Sequence, residues 1–395
     1  MLGDGLAVAS GILGRRPSRL GRGSLRSLRV AAMRNRHKAV KDPGKILILR
    51  LSSIGDIVLT SPLVRVLRRR FPRAAIDFVV KADFAPLLEH NPNVNTVHVI
   101  EPAAGLTGLW HLGQTLRNAR YDIAIDLHKN FRSRFLVHAC WARRVLRYQK
   151  HVWRRGLYVK LKLNTMRQAM PIYQRYLAAA AELHITDDGA GTELFWSHEH
   201  EQEAERAAQQ HGISRGQALL AVAPGAGYFT KRWPAEYFAE LAVQLAKHYS
   251  DFALVILGGP QDAEAGRVIT KAVAGGKVID LTGRCSLLAS AVFIKRSRLL
   301  VANDSGLMHI AEAVKTPVLM LAGSTTRELG FFPQRAHSRV LENQALACRP
   351  CSHLGYDACP AGHFRCMREL TPALVLAELQ RMLRLARSAE ELHDC

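Results

Sequence analysis

The sequence predicts an α/β protein made of two doubly wound parallel-sheet domains in tandem, and three observations carry that prediction. Short, nearly continuous apolar runs alternate with segments of helical spacing along most of the chain, the rhythm breaks once at 184–200, and then a second series begins. The length of 395 residues, at roughly 150 residues per domain, accommodates two such units and an extension. A strand covered by helices on both faces is apolar at nearly every position, whereas a half-exposed strand alternates.

Residues 1–44 are rich in Gly, Arg and Ser and lack strand periodicity, so they read as a flexible basic arm, either a solvated tail or a membrane-surface or targeting segment. The first domain is assigned to 45–195. It opens with KILILRL at 45–51, followed by expected strands at 75–80, 96–100, 122–126 and 144–148 and helices near 57–70, 84–90, 107–119 and 169–183. Asp187, Asp188, Gly189 and Gly191 interrupt the series. The second domain, 196–395, is expected to place strands at 218–223, 252–258, 277–281, 298–302 and 317–321 and helices at 201–211, 235–249, 261–274, 286–296 and 305–315. Ligands of such sheets bind beyond the carboxyl ends of the strands, so the active site is expected in a cleft between the domains.

Composition narrows the class. With 48% hydrophobic and 22% charged residues the chain is an ordinary globular mixture, which excludes a disordered or fibrous protein. The net charge of +22 is concentrated: 1–44 holds ten basic residues against Asp4 and Asp42, and 127–181 holds thirteen with no acid. Charge confined to two stretches is a weak sign of general nucleic-acid binding, and no recognition motif accompanies it. The aromatics interleaved in 127–181 leave three readings: a solvated face, a nucleic-acid site, or a site for an acidic glycolipid or an anionic membrane surface. No run reaches the roughly 18 apolar residues of a spanning helix, and the apolar start precedes its Arg cluster, so neither a membrane span nor a cleaved secretory signal is expected.

Three segments carry chemistry. In Leu49-Arg50-Leu51-Ser52-Ser53-Ile54-Gly55-Asp56 a strand runs into a turn and a helix, which puts Asp56 at the strand's carboxyl end. A helix cap explains that Asp, and so does a base that accepts a proton from a substrate hydroxyl. Neither a phosphate loop nor a dinucleotide fingerprint is present. In Pro224-Gly225-Ala226-Gly227-Tyr228-Phe229-Thr230-Lys231-Arg232-Trp233-Pro234 a Gly-rich turn lies beside two cations, suited to an anion or to a plain solvated loop. In Asn303-Asp304-Ser305-Gly306-Leu307-Met308-His309 a capped helix start offers unpaired N–H groups, favourable for a diphosphate. His309, one turn in, is either a core residue or an extra donor. The tail holds Cys348, Cys351, Cys359 and Cys366 between 348 and 366, a spacing open to structural zinc, reduced thiols or disulfides.

These three segments and the Cys-rich tail, in consistent order over 45–390, resemble the ADP-heptose:lipopolysaccharide heptosyltransferases, glycosyltransferase family nine. The resemblance implies a GT-B fold, two facing Rossmann-like domains with an interdomain cleft, and an inverting transfer of heptose from ADP-heptose to a lipopolysaccharide inner-core acceptor. It implies Asp56 as general base, and a donor site built from Lys231, Asp304, Ser305, Gly306, Leu307 and His309, to which the Gly-rich turn adds Gly227. Gln261 stands where members often carry an acid near the ribose, and Asp262 is its possible substitute. Lys129, Arg132 and Arg134 of the basic run are assigned to the acidic acceptor. No Asp-x-Asp triplet occurs, so Lys231 and backbone dipoles are expected to neutralise the diphosphate without a metal or cofactor. A cytoplasmic enzyme touching the inner leaflet peripherally is expected, with no nucleic-acid partner. Transfer of another activated sugar, or a non-catalytic basic scaffold, are the competing readings.

Overall fold

The structure is a computed structural model that describes residues 42–167, 170–273 and 277–393; apart from its last three residues, the basic arm lies outside them. The first half contains β1 (Lys45–Leu49), β2 (Ala75–Lys81), β3 (Thr96–Ile100), β4 (Ile123–Asp126) and β5 (Arg144–Arg147). Its helices are α1 (Ile54–Val58), α2 (Ser61–Arg70), α3 (Pro86–Glu89), α4 (Gly105–Ala119), α5 (Phe131–Ala139), α6 (Val152–Leu161) and α7 (Ile172–Ala178). The second half contains β6 (Leu219–Ala223), β7 (Ala253–Ile256), β8 (Val278–Asp280), β9 (Ser297–Asn303), β10 (Val318–Ala322) and β11 (Arg339–Glu342). Around them lie α8 (His198–Gln210), α9 (Ala235–His248), α10 (Ala263–Ala272), α11 (Leu287–Arg296), α12 (Gly306–Ala313), α13 (Arg365–Arg368) and α14 (Pro372–His393).

Both sheets are parallel throughout, in the orders β3-β2-β1-β4-β5 and β11-β10-β9-β6-β7-β8. The strand order reverses between β1 and β4 in one sheet and between β6 and β9 in the other, and those are the points where doubly wound sheets open a crevice. The near-continuous apolar runs are the central strands: Ile46 to Leu49 and Leu219 to Ala223 are buried without alternation.

Three differences from the expected elements have physical causes. The helix expected at 57–70 is two helices, because Pro62 has no N–H to continue the first and begins the second instead. Within the basic run stand α5 and α6, two helices not among those expected; α6 leaves apolar residues exposed and so lacks a clean core-facing period. Beyond the last expected strand come β11 and α14, the latter burying Val375, Leu379, Met382 and Leu383 against Leu241 and Leu245 of α9. Each such side chain contributes about 1.5–3 kcal/mol.

Candidate active site

Asp56 sits three residues after Ser53, the N-cap of α1, beyond the carboxyl end of β1 and beside the switch point. It is not the N-cap itself but the acid of a capping box: its Oδ2 accepts from the Ser53 N–H at 3.5 Å and from the Ser53 hydroxyl at 3.2 Å. The same oxygen is 2.5 Å from Nη2 of Arg50, and Oδ1 accepts from the Tyr176 hydroxyl of α7 at 2.9 Å. Arg50 is fixed in turn by donating from Nε to the Ser52 carbonyl at 2.9 Å and from Nη1 to the Leu127 carbonyl at 2.8 Å. Burial raises the Asp56 pKa, but the charge of Arg50 and the bonds from Tyr176 and Arg50 outweigh it and hold the carboxyl below its ordinary range. Asp56 is thus an oriented carboxylate, ionised at neutral pH, with lone pairs left for one more donor.

The opposing half comes from the switch point of the second sheet. Lys231 in the β6–α9 loop and Asp304 after β9 form an ion pair at 2.7 Å, and Thr325 donates to the same carboxylate oxygen at 2.7 Å. Burial raises the Asp304 pKa, but the charge and hydrogen bond of Lys231, with the Thr325 bond and His309, together outweigh it and hold the carboxyl below its ordinary range. Lys231 is thus held by Asp304 and does not project as a solitary cation. Asn303 clamps the Gly-rich loop, accepting from the Trp233 N–H at 3.0 Å and donating to the Pro224 carbonyl at 2.7 Å. Ser305 caps α12, and its hydroxyl oxygen is buried without a partner. A Cβ on Gly227 would meet nothing within 4 Å, so that backbone is open to close approach. Gln261 is exposed, whereas Asp262 is buried under the loop, its Oδ2 accepting from the Gly259 N–H at 2.9 Å.

The two halves meet where α1 lies against α12. A Cβ on Gly306 would fall 2.7 Å from Cβ of Ile54, and Gly55 backs onto His309. Leu307 packs, half-buried, into the core at the same seam. Burial drives the His309 imidazole below its ordinary pKa although Asp304 and Asp56 both pull the other way, so near pH 7 it is neutral. One short interface therefore gathers Asp56, Gly306, Leu307 and His309, and Asp304, paired with Lys231, lies just ahead of the α12 start.

Lys129, Arg132 and Arg134 are exposed around the start of α5, beyond the carboxyl end of β4. They share this sheet end with Asp56 but do not touch it; Arg50, bonded to Leu127, is the link. His128, at the same turn, is pushed down to about 4 by burial and then by the charges of Arg50 and Lys150. Reading the sequence missed Arg50 and Tyr176. An arginine inside an apolar strand run was a signal for the first; nothing local marks Tyr176, 120 residues from its partner.

The tail thiols Cys348, Cys351, Cys359 and Cys366 are free and line one cavity of about 260 Å³. Among the described residues no group of three His, Cys, Asp or Glu is arranged to hold a metal ion.

Two parallel α/β domains, joined at the carboxyl ends of their strands and bringing an oriented carboxylate to a capped helix start, define a GT-B glycosyltransferase. A profile of glycosyltransferase family 9 (heptosyltransferase) matches residues 109–356. Lipopolysaccharide heptosyltransferase 2 of Escherichia coli (strain K12) is 30% identical over 362 residues, covering 86% of this chain and 98% of the relative. The chain belongs to glycosyltransferase family 9. Among solved structures, the E. coli ADP-heptose lps heptosyltransferase II superposes with a TM-score of 0.68 at 27% identity, over 87% of this chain and 99% of the other. A glycosyl transferase family 9 member from Veillonella parvula DSM 2008 shares the fold, with a TM-score of 0.73 at 23% identity over 86% and 97%.

Proposed function

We propose that this protein transfers heptose from ADP-heptose to a hydroxyl of a lipopolysaccharide inner-core acceptor, with inversion, on the cytoplasmic side of the membrane. The observation that carries the reading is the placement of Asp56: an ionised, triply held carboxylate one short helix away from the dipolar start of α12. The acceptor oxygen attacks the anomeric carbon as its proton passes to Asp56. The bond from that carbon to the diphosphate oxygen breaks, and the electron pair leaves on ADP. A carboxylate held below its ordinary pKa is a weak base, so the proton moves late, when bonding to carbon has already made it acidic. Lys231, the N–H groups at the start of α12 and the unpartnered Ser305 hydroxyl face the developing charge on the leaving group. Gly227, Gln261 and Asp262 belong to the nucleotide side, and Lys129, Arg132 and Arg134 to the acidic acceptor.

The test is ADP release from ADP-heptose with and without a Kdo-bearing acceptor. Release that depends on the acceptor supports the transfer, and release with a different nucleotide sugar alone replaces the donor. Asp56→Asn should leave donor affinity nearly unchanged while cutting turnover by about 10²–10⁴-fold; normal turnover in that variant removes Asp56 from the role of base.

A further inference from the structure

The helix α6 carries an apolar stripe that the core does not use. Trp153, Leu157 and Leu161 recur every four residues and so share one face, and they are 87%, 39% and 62% exposed. Lys160 and Arg154 flank the stripe on either side, both exposed. The face that does pack carries Tyr158, which is buried and bonds through its hydroxyl to Thr326 at 2.9 Å and Glu328 at 3.0 Å. The stripe is therefore surplus to the contacts that hold the helix in place.

The surroundings repeat the pattern. Lys150, just before α6, donates to the Lys129 carbonyl at 3.3 Å, which joins the start of α6 to the start of α5, where Phe131 is 74% exposed. Phe135 of α5 lies beside Trp110 of α4, with ring centroids 6.4 Å apart and the planes tilted by 44°, and Trp110 is 56% exposed. All three helices begin at the carboxyl ends of their strands, the end that carries Asp56. Single exposed hydrophobics are ordinary. A stripe with tryptophan at one end, bordered by cations, inside 55 residues with thirteen Lys and Arg and no acid, is the pattern of a helix lying in a bilayer interface.

We propose that the Trp153–Leu157–Leu161 face of α6, extended by the tips of α4 and α5, docks this protein on an anionic lipid bilayer. The charge selects the partner's sign, and indole and leucine at the centre of a cationic rim select a lipid interface over a purely polar polyanion. This docking would present the site to a lipid-borne acceptor, and in that respect it rests on the proposed function; binding to vesicles does not.

The test uses the full chain and vesicles of equimolar phosphatidylglycerol and phosphatidylcholine, with phosphatidylcholine alone as control. Wild type should cosediment with the anionic vesicles and not with the neutral ones. The triple variant W153S/L157S/L161S should bind at least tenfold more weakly while keeping the wild-type melting temperature and transfer to a water-soluble acceptor, and K160E should weaken binding in the same sense. Wild type that ignores anionic vesicles, a triple variant that binds them as wild type does (which would shift binding to the arm at 1–44), or tighter binding to RNA than to vesicles would each overturn the assignment. Loss of transfer to the soluble acceptor in wild type itself would instead strike the proposed function.

Discussion

Gly55 and His309 meet with no room for a methyl group: a Cβ on Gly55 would lie 2.2 Å from Cδ2 and 2.9 Å from Nε2 of the imidazole. These residues belong to helices of different domains, so this contact sets how closely the carboxylate-bearing α1 approaches the start of α12. Gly55→Ala should force the ring or the helix to move, at about 1–3 kcal/mol. Turnover should fall tenfold or more while the circular dichroism spectrum is kept. Adding His309→Ala should restore the melting temperature without restoring the rate, because the space returns and the imidazole does not. A Gly55→Ala enzyme with wild-type rate and melting temperature would show that the contact sets nothing.

The pH profile should report the groups that hold Asp56. Tyr176→Phe removes the donor to Oδ1 and Arg50→Gln removes the neighbouring cation, and both interactions lower the Asp56 pKa. Asp56 accepts a proton only when ionised, so raising its pKa moves the acid limb of kcat/KM to higher pH. The shift should be larger for Arg50→Gln, whose charge outweighs the tyrosine bond. The same sign governs stability. A depressed carboxylate stabilises the fold above its unfolded pKa, and that contribution is lost as pH falls through the lower folded value. Acid limbs that coincide in all three enzymes would mean that another group titrates there.

Removing the Lys231 amine strands Asp304, whose side chain is only 4% exposed. Leaving a buried charge without its partner costs about 3–5 kcal/mol, so Lys231→Ala should melt early and bind ADP weakly. Lys231→Ala with Asp304→Asn should regain much of the melting temperature, because no charge is left buried, yet still bind ADP weakly. Calorimetry of ADP binding separates the two effects. A double variant with wild-type ADP affinity would place Lys231 among purely structural residues.

Strands were legible wherever burial on both faces made them apolar throughout: β1 and β6 fall within a residue or two of where the runs place them. The segment around Asp56 was legible because strand, turn and helix start are all local. Its partner Tyr176 was not, since that residue reaches Asp56 only through tertiary packing of α7. The pairing of Lys231 with Asp304 was hidden for the same reason, both residues having been read separately as parts of an anion site. In α6 the difficulty was of another kind: its exposed apolar stripe contradicts the expectation that helix periodicity points to a core.

The break at 184–200 that separates the two series of strands is not slack chain, and acid should reveal it. Arg65 of α2 donates to Asp188 from Nε at 2.8 Å and from Nη2 at 2.7 Å, and its Nη1 is 2.9 Å from Glu193. The Arg65 side chain is 7% exposed, so the fork fastens the connection onto the first domain from within. The Arg65 bonds, aided by the Ala190 N–H and the charge of Arg69, bring Asp188 down to about 2, from an ordinary value near 4. A depressed carboxylate gives its stability above the unfolded pKa and loses it as pH falls through the folded one. Arg65→Met should therefore lower stability at neutral pH by about 1 kcal/mol, since Asp188 lies in an exposed stretch of chain where solvent screens the pair. The gap in melting temperature between wild type and variant should hold down to about pH 4 and then narrow towards pH 2, as wild-type Asp188 takes up its proton. Arg65→Lys should fall between the two, because an ammonium keeps the charge but cannot bond both carboxylate oxygens in parallel. A gap that stays constant across that range would show that packing of the arginine stem, and not its fork, secures the connection.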